Sequence, residues 1–494
     1  MNSSEKRRRP TRETAPFFFC LTAAVACALG ILTGGCIPST RSGPVGEGLS
    51  LAPTDRILIL APHPDDEIIG CGGIIQKAVA RNLPLRIVFL TNGDNNQWSF
   101  VLYRKRVVLA PSSVRSMGSK RQEEAVAAAQ SLGVKSNDLV FLGYPDMGTL
   151  TIWNSHWAGH PPYRSMLTRA TGVPYANAFR PGAAHKGEEI LRDLTAIIRD
   201  FRPTRVFVSH PADHNMDHRA LYLFARVATW DLEPQLRPTL CPYLVHFKRW
   251  PRPHGFYPED PLRPPAFFDG VVPWSISPLD PAEEAKKESA LKKHHTQYMS
   301  NSRYLSSFVR KNELFGDFPC VVLAPTSAVT AAVDFSGQAF DEAETPPAEL
   351  SDDERELFTG IEWRSARIEG GDLVLAVKLS RPLAKAVEAS FDVFGYRDDR
   401  AFALMPKLHA RVNVVGQKLL DQSWEIPSGP WKVERKAREI LLRIPTVMLG
   451  DPQRVLVSAR TYLGDVPLDW VSWRTLSLPG DVHTGRAAKQ PPSS

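Results

Sequence analysis

The chain has no basic stripe interleaved with aromatic residues beyond its N-terminus, and its formal charge of +7 over 494 residues is modest, so a nucleic-acid partner is not expected. It is also short of cysteine. Of six cysteines, Cys20, Cys27 and Cys36 lie at the N-terminus, leaving Cys71, Cys241 and Cys320. Cys241 and Cys320 are read either as a pair or as two free thiols, and Cys71, between glycines, as a small core residue. Missing too is a glycine-rich turn after the first apolar strand. The turn carries one histidine and three acids, which would repel a pyrophosphate and so argue against a dinucleotide oxidoreductase.

What is present is enough chain for two or three domains, with an ordinary hydrophobic fraction of 43%. Lys6-Arg7-Arg8-Arg9 precedes an apolar stretch from Phe17 to Leu32 that runs into Thr33-Gly34-Gly35-Cys36. This pattern reads as an export segment over residues 1–36. It is taken as a lipoprotein signal with Cys36 as the lipid-carrying residue, with an uncleaved membrane anchor or plain secretion as the alternatives. All three export the chain, and the lipoprotein reading tethers it in a bacterial cell envelope.

After a linker over residues 37–53, nearly continuous apolar runs alternate with helical patterns. Strands are expected at Arg56–Leu60, Leu85–Thr91, Leu139–Leu142, Arg205–Ser209 and Tyr243–Phe247. Helices are expected at Ile68–Arg81, Ser119–Leu132, Lys186–Phe201, His218–Trp230 and Pro281–Met299. The order predicts a Rossmann-like, doubly wound, mostly parallel α/β sheet over residues 54–325, with loops at 95–117, 148–184 and 250–278. A linker at 326–357 leads to residues 358–478, where period-two alternation and Gly/Pro turns predict an all-β sandwich. Residues 479–494 read as a disordered tail. The tryptophans Trp363, Trp424, Trp431, Trp470 and Trp473 are assigned mainly to packing, with stacking on sugar faces as the alternative.

Chemistry concentrates after two strands. Ala61-Pro62-His63-Pro64-Asp65-Asp66-Glu67 closes the first strand and opens a helix; like charges so close need a cation or a catalytic task. A mononuclear metal hydrolase needs three ligands and an open position, and His63 and Asp66 are placed to supply two. The third is sought in His210-Pro211-Ala212-Asp213-His214-Asn215-Met216-Asp217-His218, which follows Arg205–Ser209 and can share the sheet edge with the first motif. Glu67, in the first turn of its helix, is read as a supporting group rather than a ligand.

These segments, with Arg121-Gln122-Glu123-Glu124, Leu142-Gly143-Tyr144-Pro145-Asp146 and Asp217-His218-Arg219-Ala220, resemble the PIG-L/LmbE-like family of metal-dependent de-N-acetylases. They run in family order over about residues 54–300. The resemblance implies that His63, Asp66 and His218 bind a metal, Zn2+ or another divalent ion, that Asp65 is the general base, and that Arg121 and Asp146 contact the sugar. Many relatives carry a histidine where this chain has Asn215, an amide that can donate to an oxyanion but cannot protonate an amine. The acid is then Asp65 returning its proton or the neighbouring His214. His210 is read as a loop buttress or a site residue. His294 and His295 are left out of the metal set.

The expected activity is removal of N-acetyl groups from an N-acetylhexosamine-containing envelope polysaccharide or glycolipid. Expected partners are the N-acetylated saccharide, the membrane through the N-terminal lipid or anchor, and polysaccharide export or biosynthesis proteins. The alternatives are a non-catalytic glycan-binding lipoprotein and an amidase acting on a non-sugar acyl amide.

Overall fold

A computed structural model describes residues 48–95, 110–324, 332–335, 350–479 and 481. The export segment with Cys36, most of the tail and most of the second linker lie outside the described residues. Within them no helix is long and apolar enough to cross a membrane.

The first domain is built on β1 (Ile57–Ala61), β2 (Leu85–Thr91), β3 (Leu139–Tyr144), β4 (Arg205–Ser209) and β5 (Thr239–Tyr243), all parallel, in the order β3-β2-β1-β4-β5. Sequence alternation explains why both faces are covered. Ile57, Ile59 and Ala61 enter one apolar core with the helix α1 (Asp66–Ala80), while Leu58 and Leu60 enter a second core on the opposite face. Successive side chains of a strand point to opposite faces, so a continuous apolar run needs helices on both. The helices α2 (Pro111–Ser131), α3 (Thr149–Ser155), α4 (Gly187–Phe201) and α5 (Met216–Leu232) complete the layers.

Several boundaries differ from the sequence reading. The fifth strand is Thr239–Tyr243 rather than Tyr243–Phe247. It lies at the sheet edge, where Pro242 is tolerated because one side of the strand needs no donor. The residues beyond it instead turn back toward the loop after β4. Helix α2 starts at Pro111, inside the segment expected to be a loop, with proline at its first turn. The expected helix Pro281–Met299 is two helices, α6 (Pro281–Leu291) and α7 (His295–Leu305). Cys71, Cys241 and Cys320 are all free; Cys71 and Cys241 are buried and Cys320 is exposed.

The C-terminal half forms two antiparallel sheets packed face to face over a core containing Leu373, Val393, Leu442 and Val457. The longer sheet includes β-strands Val387–Tyr396, Lys407–Val412, Arg454–Leu463 and Val466–Ser477. Val321–Val322, from the stretch assigned to the first domain, pairs in parallel with the last of these. Val333–Asp334, from the expected linker, pairs with Ile361–Glu369 in the other sheet.

The two halves share a core. Trp153 of α3 has ring contacts with Phe224 at 5.0 Å from the first domain and with Phe402 at 5.3 Å and Phe394 at 5.7 Å from the second. Around this aromatic cluster, Arg454 donates both guanidinium nitrogens to Glu233 at 2.9 and 2.7 Å, and Trp157 N donates to Gln422 at 2.9 Å. Trp473 is also buried there, whereas Trp424 is exposed and stacks on His160 at 3.9 Å.

Truncating so central a ring leaves a cavity on both sides of the junction. Trp153→Ala is expected to lower unfolding free energy by about 3–5 kcal/mol. Urea denaturation followed by tryptophan fluorescence and circular dichroism checks this, and an effect below about 1 kcal/mol would contradict the shared core.

Candidate metal centre and active site

Because β1 and β4 are paired in parallel from Ile57↔Arg205 to Ile59↔Phe207, their C-terminal ends leave the same edge of the sheet. The turns after β2 and β3 leave there as well. Ligand sites of open α/β sheets form at this edge, and here it gathers His63, Asp65 and Asp66 from the first turn, Asp146 from the third, and the loop from His210 into α5.

Two imidazole nitrogens converge on one carboxylate oxygen. His63 Nδ1 lies 3.2 Å and His218 Nε2 3.1 Å from Asp66 Oδ2, and the three residues form a buried group whose ligand atoms all lie within 4.8 Å of one another. Each histidine is oriented from behind by a second carboxylate. Asp217 Oδ2 is 3.2 Å from His63 Nε2, and Asp213 Oδ2 is 3.0 Å from His218 Nδ1. Backbone N–H groups hold both orienting acids. Asp217 accepts from Met147 and Thr149, and Asp213 from Asn215, Val245 and His246. Carboxylates behind ligating histidines fix the ring and raise its basicity.

This donor set fits a divalent cation: two nitrogens and one carboxylate, converging, buried and oriented. A second grouping, His63 with Asp146 and Asp217, uses the opposite ring nitrogen of His63. Asp217 is less suited as a ligand there, because its two oxygens already accept from Met147 N, Thr149 N and the Thr149 hydroxyl. The electrostatics agree with a cation site. Burial pushes the His218 ring down, but Asp213 and Asp66 outweigh it and bring it up to about 9; His63 is raised well above its usual value against burial, chiefly by Asp146.

Asp65 differs from its neighbours. Asp66 accepts from His63 N, Glu67 from Asp65 N, and Asp146 from Asn95 N, so each of these carboxylates is occupied by a backbone donor. The Asp65 carboxylate accepts from none among the described residues and faces only the Arg121 guanidinium at 3.5 Å. Burial pushes it up to about 7, with Arg121 opposing and the charges of Asp66 and Glu67 adding to the rise. Its backbone sits at φ 127°, a region that strains a residue with a Cβ and that recurs at functional sites.

The residues expected to contact substrate are placed as follows. Arg121 is buried and donates to Gly93 O at 2.7 Å and Pro64 O at 2.6 Å, tying two site turns together. Gly93 has φ +64°, and a Cβ there would fall 1.9 Å from Arg121 Nη1, so the turn requires glycine. Asp146 reaches the centre, with Oδ1 3.3 Å from His63 Nε2. Asn215 caps α5, its side chain accepting from Asp217 N at 2.8 Å. His214 is exposed and lies against Phe247 and Trp470. His210 is buried in an aromatic nest with Nδ1 accepting from Ala212 N, and burial pushes it down to about 3.

Glu67 does not reach the metal group. Its second oxygen meets His294 Nε2 at 2.9 Å, and this buried pair closes the floor beneath Asp65 from the break between α6 and α7. The sequence reading left His294 among solvated lysines, whereas only His295 is exposed. The sequence reading assigns no role to Asp213 or Asp217 and leaves His294 out of the metal set, because an orienting group is recognised only by what it touches.

Residues 58–229 match the family described as PIG-L, GlcNAc-PI de-N-acetylase. A 1D-myo-inositol 2-acetamido-2-deoxy-alpha-D-glucopyranoside deacetylase from Kribbella flavida is 29% identical over 306 residues, covering 54% of this chain and 92% of the relative. A protein of the same description from Streptomyces avermitilis is 28% identical over 213 residues, or 41% of this chain and 63% of that relative, so there the match spans under two thirds of its length. Among solved structures, an N,N'-diacetylchitobiose deacetylase from Pyrococcus horikoshii is 20% identical, with 53% of this chain and 82% of that chain covered at a TM-score of 0.32.

The ligand and orienting roles separate experimentally. Asp66→Ala is expected to abolish stoichiometric binding of Zn2+, while Asp213→Asn retains it with affinity weakened roughly 10–100-fold. Metal content by plasma emission and competition with a chelating dye read both. Equal loss in the two variants would place Asp213 among the ligands.

Proposed function

We propose that this chain, which carries a PIG-L domain over residues 58–229, is a metal-dependent hydrolase that removes the acetyl group from an N-acetylated aminosugar. The observation that carries this reading is the Asp65 carboxylate, which accepts no hydrogen bond among the described residues and faces Arg121, beside a converging His63–Asp66–His218 set.

A divalent cation held by those three residues would supply Lewis acidity, acidifying a water and polarising the acyl oxygen. The protein supplies the rest. Asp65 takes the proton from the attacking water at its carboxylate, and Arg121 keeps that carboxylate in place through the contacts that also pin Pro64 and Gly93. The C–N bond breaks as Asp65 returns the proton to the leaving nitrogen, giving acetate and a free amine. Desolvation by the groups packed around it pushes the His214 ring down to about 4, so it is neutral near pH 7 and Asp65 is the better source of that proton, while Asn215 keeps an amide NH2, free among the described residues, that can donate to the acyl oxygen. Asp146 stands at the same edge as the acceptor for a sugar hydroxyl.

The substrate we propose is an envelope polysaccharide or glycolipid bearing N-acetylhexosamine, met outside the cytoplasm by a protein tethered through its N-terminus. The basic and apolar residues before Cys36 support this placement. Loss of acetyl groups would expose amines and make such a polymer cationic.

Zn2+-loaded protein is expected to release acetate from N-acetylglucosamine oligomers, with Asp65→Asn lowering kcat by roughly 10²–10⁴-fold while keeping the metal. A coupled acetate assay with metal content measured on the same samples checks both. Bound metal with no acetate from any N-acetylated saccharide would leave the chain as a glycan-binding protein or an amidase of other acyl amides.

A further inference from the structure

Beyond the metal centre, a second polar cleft opens where the longer sheet of the C-terminal half meets α3. It has a volume of ≈ 130 Å³, room on the order of ten waters, and its lining includes Asn154 and Ser155 from the first domain and Ser390, His409, Arg411 and Arg460 from the second. The sheet register explains the lining. Ser390 pairs with both Arg411 and Arg460, and Arg460 pairs with Trp470, so these residues form one row across four strands.

The charges in the cleft are not balanced. Asp392 is engaged by His409, whose Nδ1 lies 2.7 Å from its Oδ1 while Nε2 faces Asn154 O at 3.0 Å. Burial raises the Asp392 carboxyl, but this hydrogen bond and the nearby cations more than offset it and hold it below its usual range. Arg460 is attracted by the same acid without hydrogen-bonding to it, since its Nε is 3.9 Å from Asp392 Oδ2, and its one side-chain hydrogen bond among the described residues is with Tyr462. Its Nε and Nη2 are buried without a hydrogen-bond partner among the described residues, and so is the Nε of Arg219. Arg219 follows the metal-binding residue His218 and stacks on Trp470 with its guanidinium 4.1 Å from the ring. The Arg460 charge bears unfavourably on it. Arg411, at the rim, reaches Glu388 only at 3.8 Å.

Buried guanidinium N–H groups without acceptors are costly, and those of Arg460 line this cleft together with Arg411 at its rim, a donor set suited to an oxyanion. We propose that this cleft binds a sugar-borne oxyanion, the carboxylate of a uronic acid or the phosphate of a sugar phosphate, with Arg460 as its principal donor and Arg411 at the entrance. The saccharide part of this proposal rests on the function proposed above; the anion part rests on the arginines alone. Helix α3 runs from Thr149, which holds Asp217 at the metal centre, to Asn154 and Ser155 in the cleft, a span of about 9 Å. The helix thus links the two sites by direct contacts, and anion binding in the cleft would select glycans that carry acidic as well as N-acetylated residues.

Calorimetric titration of the full-length protein with glucuronate, glucose 6-phosphate, inorganic phosphate and glucose tests this. Saturable binding of glucuronate or glucose 6-phosphate, tighter than inorganic phosphate and absent for glucose, is the expected result, and the tighter of the two identifies the anion. Arg460→Gln should weaken that binding roughly tenfold or more, and Arg411→Gln, on an exposed rim residue, provides a second variant should the first fail to fold. Binding of glucose as tightly as glucuronate, inorganic phosphate as tightly as glucose 6-phosphate, or indifference to both substitutions would overturn the proposal. The titration needs no turnover, so anion binding without acetate release would count against the proposed activity and leave the cleft standing.

Discussion

The structure depends on keeping several carboxylates buried together at one sheet edge. Asp65, Asp66, Asp146, Asp213 and Asp217 would repel one another in a dry environment, and a charge taken from water without compensation is strongly unfavourable. Compensation comes in two layers. Among the described residues, backbone N–H groups bind all of these but Asp65, and two imidazoles converge on Asp66. The remaining negative potential is what a divalent cation would neutralise, so affinity for metal and integrity of the edge are one electrostatic problem.

This constraint explains why ordinary loops here are short of freedom. The Asp213 carboxylate draws Val245 and His246 back over α5, which takes those residues out of the fifth strand. Asp217 fixes the start of α3 through Thr149, and α3 in turn carries Trp153 into the aromatic cluster shared with the sandwich. A chain of direct contacts thus runs from His63 through Asp217 and α3 to the C-terminal half. The sandwich is packed against the layer that positions the candidate metal-binding residues, and its Trp470 meets both His214 and Arg219.

The parallel sheet was legible because its strands are apolar on both faces, and the sandwich because its strands alternate. The residues that converge at the candidate metal site drew attention in the sequence because three chemically costly side chains follow one strand and a histidine-rich loop follows another. Less legible were residues whose task is to hold another. Asp213 looks like any polar loop residue and Asp217 like any acid in the first turn of a helix, and His294 sits beside lysines in sequence yet is buried against Glu67. Helix breaks and edge-strand limits, at Lys292–His294 and Pro242, also depend on neighbours distant in the chain.

By itself, the sequence determined the order of strands and helices, the two-part organisation and the residue types available for metal binding and proton transfer, since periodicity and local charge are properties of the chain. Only the tertiary structure decided which nitrogen of each histidine faces Asp66, which carboxylates are engaged and which is not, and that the sandwich closes on α3 with unpartnered arginines at the seam. Those outcomes, the arginines at the seam lacking partners only at particular N–H groups, follow from distances between segments far apart in sequence, and no local pattern carries a distance.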